Sequence, residues 1–483
     1  MGRAAAASGP VQVPAVRRGH GARGARTVRG GLAGRAARTA LLGLLCLLLA
    51  PAGLAGCVRE VGGARHTLVV LGSWTGGEQE AFEELLDRFE ERQRRKGFHV
   101  EVRYQGTTAN REVLLSDVLA GDPPDIVVLP SLGDLIDYRQ RGRLEPLRRD
   151  VDVRGAYDRG PWLARPQGMR KRYWLPVRAD LKSLVWYTGR EPDASDAAVD
   201  HWCVGMGSDA TSGWPGTDWV EDILLQQSGP EVYERWANGE LAWDAEPVVK
   251  AWNTWADFMS GDGGRAARAA LEADHRGPEG GSGLLFDPAR DCRLEHQGSF
   301  ARHLYGERFR DADFVPAPRL LPGVTNRGSR DREVSGDFAA MFQYSRKAEE
   351  LMHFLASLEA QLLWTKHDTA WRRGEIPFFS AHQGIGEKAY PERDAVGRRV
   401  VRELEEAGYL CLDASDTMPP AVRGIFQQKI LEFLADPRQE HLAETGTRQR
   451  RLVPLRQIQE VQERYPRESG PLDVCAARAT GMP

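Results

Sequence analysis

"LGSWTGGEQEAFEELLDRF", Leu71 to Phe89, decides the fold. Before it, His66 to Leu71 reads "HTLVVL", a short apolar strand. After it, Phe82, Leu85, Leu86 and Phe89 fall at i, i+3, i+4 and i+7, the apolar face of a helix. The turn between them is small and polar, Ser73, Thr75, Gly76 and Gly77, except for one large aromatic, Trp74. Loops held by rigid elements carry function disproportionately, so Trp74 is a candidate to stack on a ligand. The plainer alternative is an anchor that packs its own loop.

Two more strand-to-helix units follow. "FHVEVRYQG", Phe98 to Gly106, alternates at Val100, Val102 and Tyr104 and leads into a helical segment with Val113, Leu114, Val118 and Leu119. "GDPPDIVVLPSLGDL" places a turn at 122–125, a fully buried strand at Ile126–Leu129 and an exit at Pro130-Ser131. Strands alternating with helices predict a parallel sheet in an α/β domain. Ligands bind such sheets beyond the carboxyl ends of the strands. Trp74, Thr107, Thr108, Pro130 and Ser131 all lie at such ends.

Farther on, Trp252 and Trp255 share a helical stripe with Val248 and Val249 and read as core. Residues 261–283 read as a surface loop, 334–342 as a strand, and 348–364 as one amphipathic helix. "SGWPGTDWVEDILL", Ser212 to Leu225, repeats the opening pattern: Trp214 sits in a Gly/Pro turn, with Thr217 as the expected N-cap and Asp218 in the first helical turn. Flat aromatic faces stack on the C–H faces of sugar rings, while Asp, Glu, Gln and Arg bond the hydroxyls.

The chain has 483 residues, 41% hydrophobic and 28% charged, with a formal net charge of −3. That is globular composition, long enough for two or three domains. Residues 1–56 contain eight Arg and no acid, so the remainder is more acidic than the whole. No nucleic-acid footprint follows from such a balance. Leu41 to Cys57, "LLGLLCLLLAPAGLAGC", is an apolar run after a basic flank and ends in small residues, the pattern of a signal peptide. Its last four residues, Leu54-Ala55-Gly56-Cys57, resemble a bacterial lipobox, which predicts cleavage after 56 and a diacylglyceryl anchor on Cys57. The alternative is a plain secretory signal. Export permits disulfides. Cys203, Cys292, Cys411 and Cys475 remain after Cys46 and Cys57, too far apart for CxxC chemistry, and predict one or two bridges or else buried free thiols.

Enzyme motifs such as G-x-S-x-G, HExxH and the Walker loop are absent from the sequence, and no cofactor or metal site is expected. Asp413 and Asp416 can be read as an acid/base pair, or as a capping Asp beside a loop Asp at a helix start.

Taken in order, "GSWTGGEQEAF", "GDPPDIVVLPSLG", "DLKSLVWY", "TSGWPGTDWVEDILL", "HQGSF", "SGDFAAMF" and "LDASDTMP" resemble the family 1 extracellular solute-binding proteins of bacterial ABC importers, in the α-glucoside and oligosaccharide branch. The resemblance implies the two-lobe, type II periplasmic-binding-protein-like α/β fold: mixed sheets flanked by helices, crossing strands and a ligand cleft between the lobes, closed by hinge motion. It divides the chain into a first lobe at 66–180 and 337–390, and a second at 181–336 and 391–483. It implies that Trp74, Glu78, Pro130 and Ser131 line the first lobe's wall, and that Asp180 and Lys182 lie at the first crossover. Trp214, Asp218, Gln297 and Phe300 then line the second wall. Gly336 and Asp337 lie at the return crossing, and Asp416 with Met418 in a late cleft loop. If both second-lobe walls face one cleft, Cys203 and Cys292 start neighbouring segments and are expected to pair, leaving Cys411 and Cys475 to pair or stay free. The implied protein is a monomeric, lipid-anchored subunit on the outer face of the membrane. It captures an oligosaccharide for a permease and is not an enzyme. The alternatives are a ligand-sensing lipoprotein and a secreted glycoside-active enzyme using Asp413 and Asp416. One departure stands out: "TGREPDASDAAVDH", Thr188 to His201, is short and polar where the family carries a helical segment. A helix of the second lobe is therefore expected to be missing.

Overall fold

A computed structural model describes residues 66–148, 153, 155–278, 282–365, 376–437 and 446–477. The signal, the lipobox and Cys57 lie outside the described residues. Ten strands form two sheets: β1 His66–Gly72, β2 Val100–Gly106, β3 Ile126–Leu129, β4 Trp174–Leu181, β5 Leu184–Thr188, β6 Leu294–His296, β7 Ala312–Pro316, β8 Arg332–Met341, β9 Tyr409–Leu412 and β10 Cys475–Ala477. The larger sheet runs β10-β9-β8-β3-β1-β2, with β4 along the other edge of β8; the smaller is β6-β5-β7.

The three strand-to-helix units form as the sequence predicts. β1 is parallel to both β2 and β3, and β8 then runs antiparallel to β3 and β4, so the sheet is mixed. The helix Gly76–Arg95 carries Glu78 in its first turn and Arg92, Arg94 and Arg95 in its last, complementing its dipole. Its buried face is the expected one, Phe82, Leu85, Leu86 and Phe89.

Only Lys182 and Ser183 separate β4 in the large sheet from β5 in the small one, and the chain returns between β7 and β8. These are the crossings between the two lobes. The segment from 391 onward, assigned above to the second lobe, serves both. β9 and β10 extend the large sheet, while the helices Pro420–Ala435 and Thr447–Arg464 pack on Trp214–Ser228 and Glu246–Ser260. Tryptophans dominate this helical core: Trp219, Trp236, Trp243, Trp252 and Trp255 are all fully buried.

Three local expectations are corrected. The supposed loop 261–283 contains a helix, Arg265–Leu271, because Ala267 and Ala270 offer a small apolar face that buries. The expected single helix at 348–364 is two, Arg346–Leu355 and Leu358–Thr365. Ser357 breaks it by capping the second, accepting the backbone N–H of Ala360. Thr217 is no N-cap: the helix starts at Trp214, after Gly213 in a left-handed conformation (φ 101°), and the Thr217 hydroxyl bonds the Trp214 carbonyl.

The polar stretch 188–201 forms two short 3-10 turns, Ala194–Asp196 and Val199–His201. A capping box at Asp193 and Asp196 and ion pairs from Asp196 to Arg190 and Arg293 hold it. Cys203 and Cys292 are disulfide-bonded, as expected from the resemblance, and Cys411 pairs with Cys475 directly across β9 and β10. Among the described residues, no helix is long and apolar enough to cross a membrane.

Candidate functional site

A cleft of about 310 Å³ opens between the lobes at the crossings. Of the residues proposed from sequence, Trp74, Glu78, Asp180, Lys182, Trp214, Asp218, Phe300, Asp337 and Asp416 line it, with Pro130 and Gly336. Two do not. Ser131 is fully buried as the N-cap of helix Leu132–Gln140: its hydroxyl accepts the Asp134 N–H, donates to the Asp416 carbonyl and takes a bond from Arg423. Gln297 folds its side chain back on the Gly298 N–H, and its carbonyl accepts the Trp186 indole. Capping and local backbone bonding, not ligand, use both groups.

Trp74 is 2% exposed. It packs among Phe82, Trp364, Phe378 and Tyr104, at ring-centre distances of 4.9, 5.2, 6.3 and 6.4 Å. Its indole N–H donates to Asp337 at 3.2 Å. The tryptophan therefore stacks against its own lobe and offers the cleft only an edge. Trp214 is different. It is half-buried, and its ring lies 4.9 Å from the Lys182 ammonium and 5.9 Å from the Phe300 ring. His275 meets it edge-on at 4.8 Å.

Two charge clusters form the floor. In the first, Arg178 on β4 pairs with Glu78 at 2.6 Å and with Asp180 at 2.7 Å, and Asp337 lies beside it on β8. Ser299 donates to Asp180 at 2.6 Å. Burial pushes Asp337 up to about 7 against the pull of Arg178. In the second cluster, the Lys182 ammonium sits 2.5 Å from Asp218 and 3.1 Å from Asp413. Burial disfavours its charge, but these two carboxylates outweigh burial and hold it well above the usual lysine value. Asp413 is also buried, yet Lys182 and the Asp416 N–H keep it below the ordinary carboxylate range. Beneath lies Glu221, pushed well up by burial and by Asp413, which accepts the N–H groups of Ala414 and Ser415.

Asp218, Glu221 and Asp413 bring carboxylate oxygens within 4.8 Å of one another, a spacing that could hold a metal ion. The Lys182 ammonium already supplies the positive charge there. Asp413 caps the short helix Ala414–Thr417, and burial raises Asp416 to about 6. That helix lies against helix Leu132–Gln140 because Gly133 has no side chain: a Cβ there would sit 1.9 Å from the Met418 carbonyl.

Sequence reasoning passed over Arg178, Arg111, His275 and Arg276 as wall residues; it placed Thr108 at a ligand-binding strand end and read Asp413 as a capping or acid/base residue. Arg178 did carry a signal. Within the otherwise apolar β4, "WLPVRADL", buried throughout, an Arg and an Asp are costly unless paired. Each cleft cation is paired with carboxylates: Arg178 and Lys182 as above, Arg111 with Asp134 and Asp416, and Arg276 with Asp274 and Asp209.

Residues 74–273 match the family model for the bacterial extracellular solute-binding protein. The osmoprotective compounds-binding protein GgtB of Synechocystis sp. is 29% identical over 401 residues, covering 77% of this chain and 89% of its own. The alpha-glucosides-binding periplasmic protein AglE of Rhizobium meliloti is 26% identical over 406 residues, covering 76% and 83%. Among solved structures, a chitin oligosaccharide binding protein superposes with a TM-score of 0.60 at 15% identity, over 83% of this chain and 98% of that one. The two-lobed fold, the cleft at its crossings and these matches agree: the chain is similar to the bacterial extracellular solute-binding proteins, whose family model it matches over residues 74–273.

Proposed function

We propose that this protein captures a neutral saccharide outside the cell and delivers it to the permease of an ABC importer, without chemical turnover. The observation that carries this reading is the charge balance of the cleft. Its cations are all held by the protein's own carboxylates, so an anionic ligand finds no free counter-charge. Also facing the space are aromatic surface at Trp214 and Phe300, and hydroxyl groups at Ser73, Thr75 and Ser335. That combination suits a polyhydroxylated ring. One curated relative is named for binding α-glucosides, which supports a saccharide ligand; the other is named for osmoprotective compounds.

Thermal-shift screening tests the ligand class. Glucosides should raise the melting temperature, and charged solutes such as betaine or amino acids should not; the reverse pattern would overturn the reading. Trp214→Ala should weaken the saccharide that binds by roughly 0.5–1.5 kcal/mol, a threefold to tenfold loss, by removing a stacking face. An unchanged affinity would remove Trp214 from the site.

Anchoring belongs to the same reading. Cys57 would carry lipid and hold a monomer near its permease. Cys57→Ser should move the protein from the membrane fraction to the soluble one, and equal retention would count against the anchor.

A further inference from the structure

The mouth of the cleft carries a residue in an unusual conformation. Among the described residues, Asp209 is the one non-glycine with a positive φ, at 49°. Left-handed backbone is disfavoured for most L-residues and free for glycine, and aspartate adopts it where its carboxylate finds hydrogen-bond partners. The Asp209 carboxylate accepts the Arg276 guanidinium at 3.0 Å and the Thr108 hydroxyl at 3.4 Å. Arg276 is itself clamped by Asp274, at 2.7 and 2.6 Å. Thr108 follows β2 in the first lobe, while Asp209, Asp274 and Arg276 belong to the second. The chain Asp274–Arg276–Asp209–Thr108 therefore spans the mouth from lobe to lobe. Behind it, the space is about 310 Å³, near the lower bound of about 300–1,000 Å³ for ligand pockets. A disaccharide is of about that size, and Thr108 and Arg276, the two ends that Asp209 joins, both line the space.

We propose that the Thr108–Asp209–Arg276 bridge is a clasp that sets the length of the ligand, admitting a disaccharide-sized saccharide and excluding longer chains. This rests on the saccharide reading above and narrows it from oligosaccharides to their shortest members. The Asp209 carboxylate reaches Thr108, and local bonds hold the loop: Ser208 N–H to the Ser212 hydroxyl at 2.9 Å, and the Ser212 hydroxyl to the Asp209 carbonyl at 2.8 Å.

Isothermal titration of the purified full-length protein tests the clasp with matched pairs: maltose and maltotriose, sucrose and raffinose, cellobiose and cellotriose. For whichever pair binds, the disaccharide should bind at least tenfold tighter than its extended partner. Asp209→Gly keeps the backbone conformation and removes the clasp, and Thr108→Val removes the cross-cleft hydroxyl at constant size. In each variant the ratio of trisaccharide to disaccharide affinity should rise about tenfold. A trisaccharide that binds the wild type as tightly as its disaccharide would overturn the proposal, and so would variants that shift both ligands by one factor. If no member of any pair binds, the saccharide reading itself falls and the clasp with it. Equal binding at all lengths removes the clasp alone.

Discussion

Arg178→Ala is expected to cost about 3–5 kcal/mol of stability and to abolish ligand binding. The size follows from where the charge sits. Arg178 is buried on a strand buried along its whole length, and it is the shared partner of Glu78 and Asp180, with Asp337 beside it. Removing one member of a buried pair leaves the other charge without compensation, which is far costlier than the net worth of the pair. The effect should also depend on pH, with a defined sign. Asp337 is raised to about 7, and burial raises Glu78 and Asp180 as well. A carboxyl whose folded pKa is raised binds its proton more tightly folded than unfolded. Its contribution is complete below the unfolded value near 4 and is lost as pH rises through the folded value near 7. Without Arg178 these values climb further, so the loss should be smaller at pH 5, where the carboxyls can protonate, than at pH 8. Urea denaturation of wild type and variant at both pH values makes the comparison. An equal loss at both would mean that Arg178 acts through packing, including its stacking over Phe378 at 4.8 Å, and not through charge.

The first of those partners was legible in the sequence and the cluster was not. Glu78 is marked by its place in the first turn of a helix, where the dipole favours an acid. Its pairing with Arg178 spans 100 residues and depends on β4 being threaded beside β8, which periodicity cannot reveal. The same limit explains the aromatic turns. Trp74 and Trp214 look alike in sequence, one large ring among Gly, Ser and Pro. What separates them is the neighbours that fold back: Trp364 and Phe378 arrive from the far end of the chain to cover Trp74, while Trp214 keeps an open side toward Lys182 and Phe300. Local order fared better where turn chemistry bracketed an apolar run. β3 has the predicted ends because a Pro-Pro turn precedes its four apolar residues and Pro130 follows them. The helix Arg265–Leu271 was lost because its apolar residues are mainly alanines set among glycines, a weak pattern that only burial against a neighbour makes decisive. Ser131 and Gln297 show the opposite error. Ser131 stood at a strand end and Gln297 followed from the family resemblance, yet capping and backbone bonding claimed both.

Removing the bridge between Cys203 and Cys292, by Cys203→Ala with Cys292→Ala, is expected to destabilise the protein by roughly 2–4 kcal/mol. The two residues are 89 apart in sequence, and their Cα atoms lie 5.2 Å apart. A cross-link that closes so long a loop removes much conformational freedom from the unfolded chain, and loss of that restraint stabilises the unfolded state. The native side has a stake too. The Cys203 N–H bonds the Leu294 carbonyl at 2.7 Å, so the bridge fastens the strand leading to Trp214 beside the start of β6, which leads to Phe300. Both second-lobe walls thus hang from one staple, in the lobe where 188–201 forms two short 3-10 turns. Cys411 and Cys475 are 64 apart and join β9 to β10, a strand held by three paired residues at the sheet edge. Releasing that bridge should fray the edge before it unfolds the protein, exposing amides of 475–477 to exchange while the cleft holds. The two double variants therefore separate by location as well as size. The first should lower the urea midpoint and weaken saccharide binding together, and the second should lower the midpoint with affinity preserved. A Cys203/Cys292 variant within about 0.5 kcal/mol of wild type, with unchanged affinity, would mean that the walls are held by packing alone.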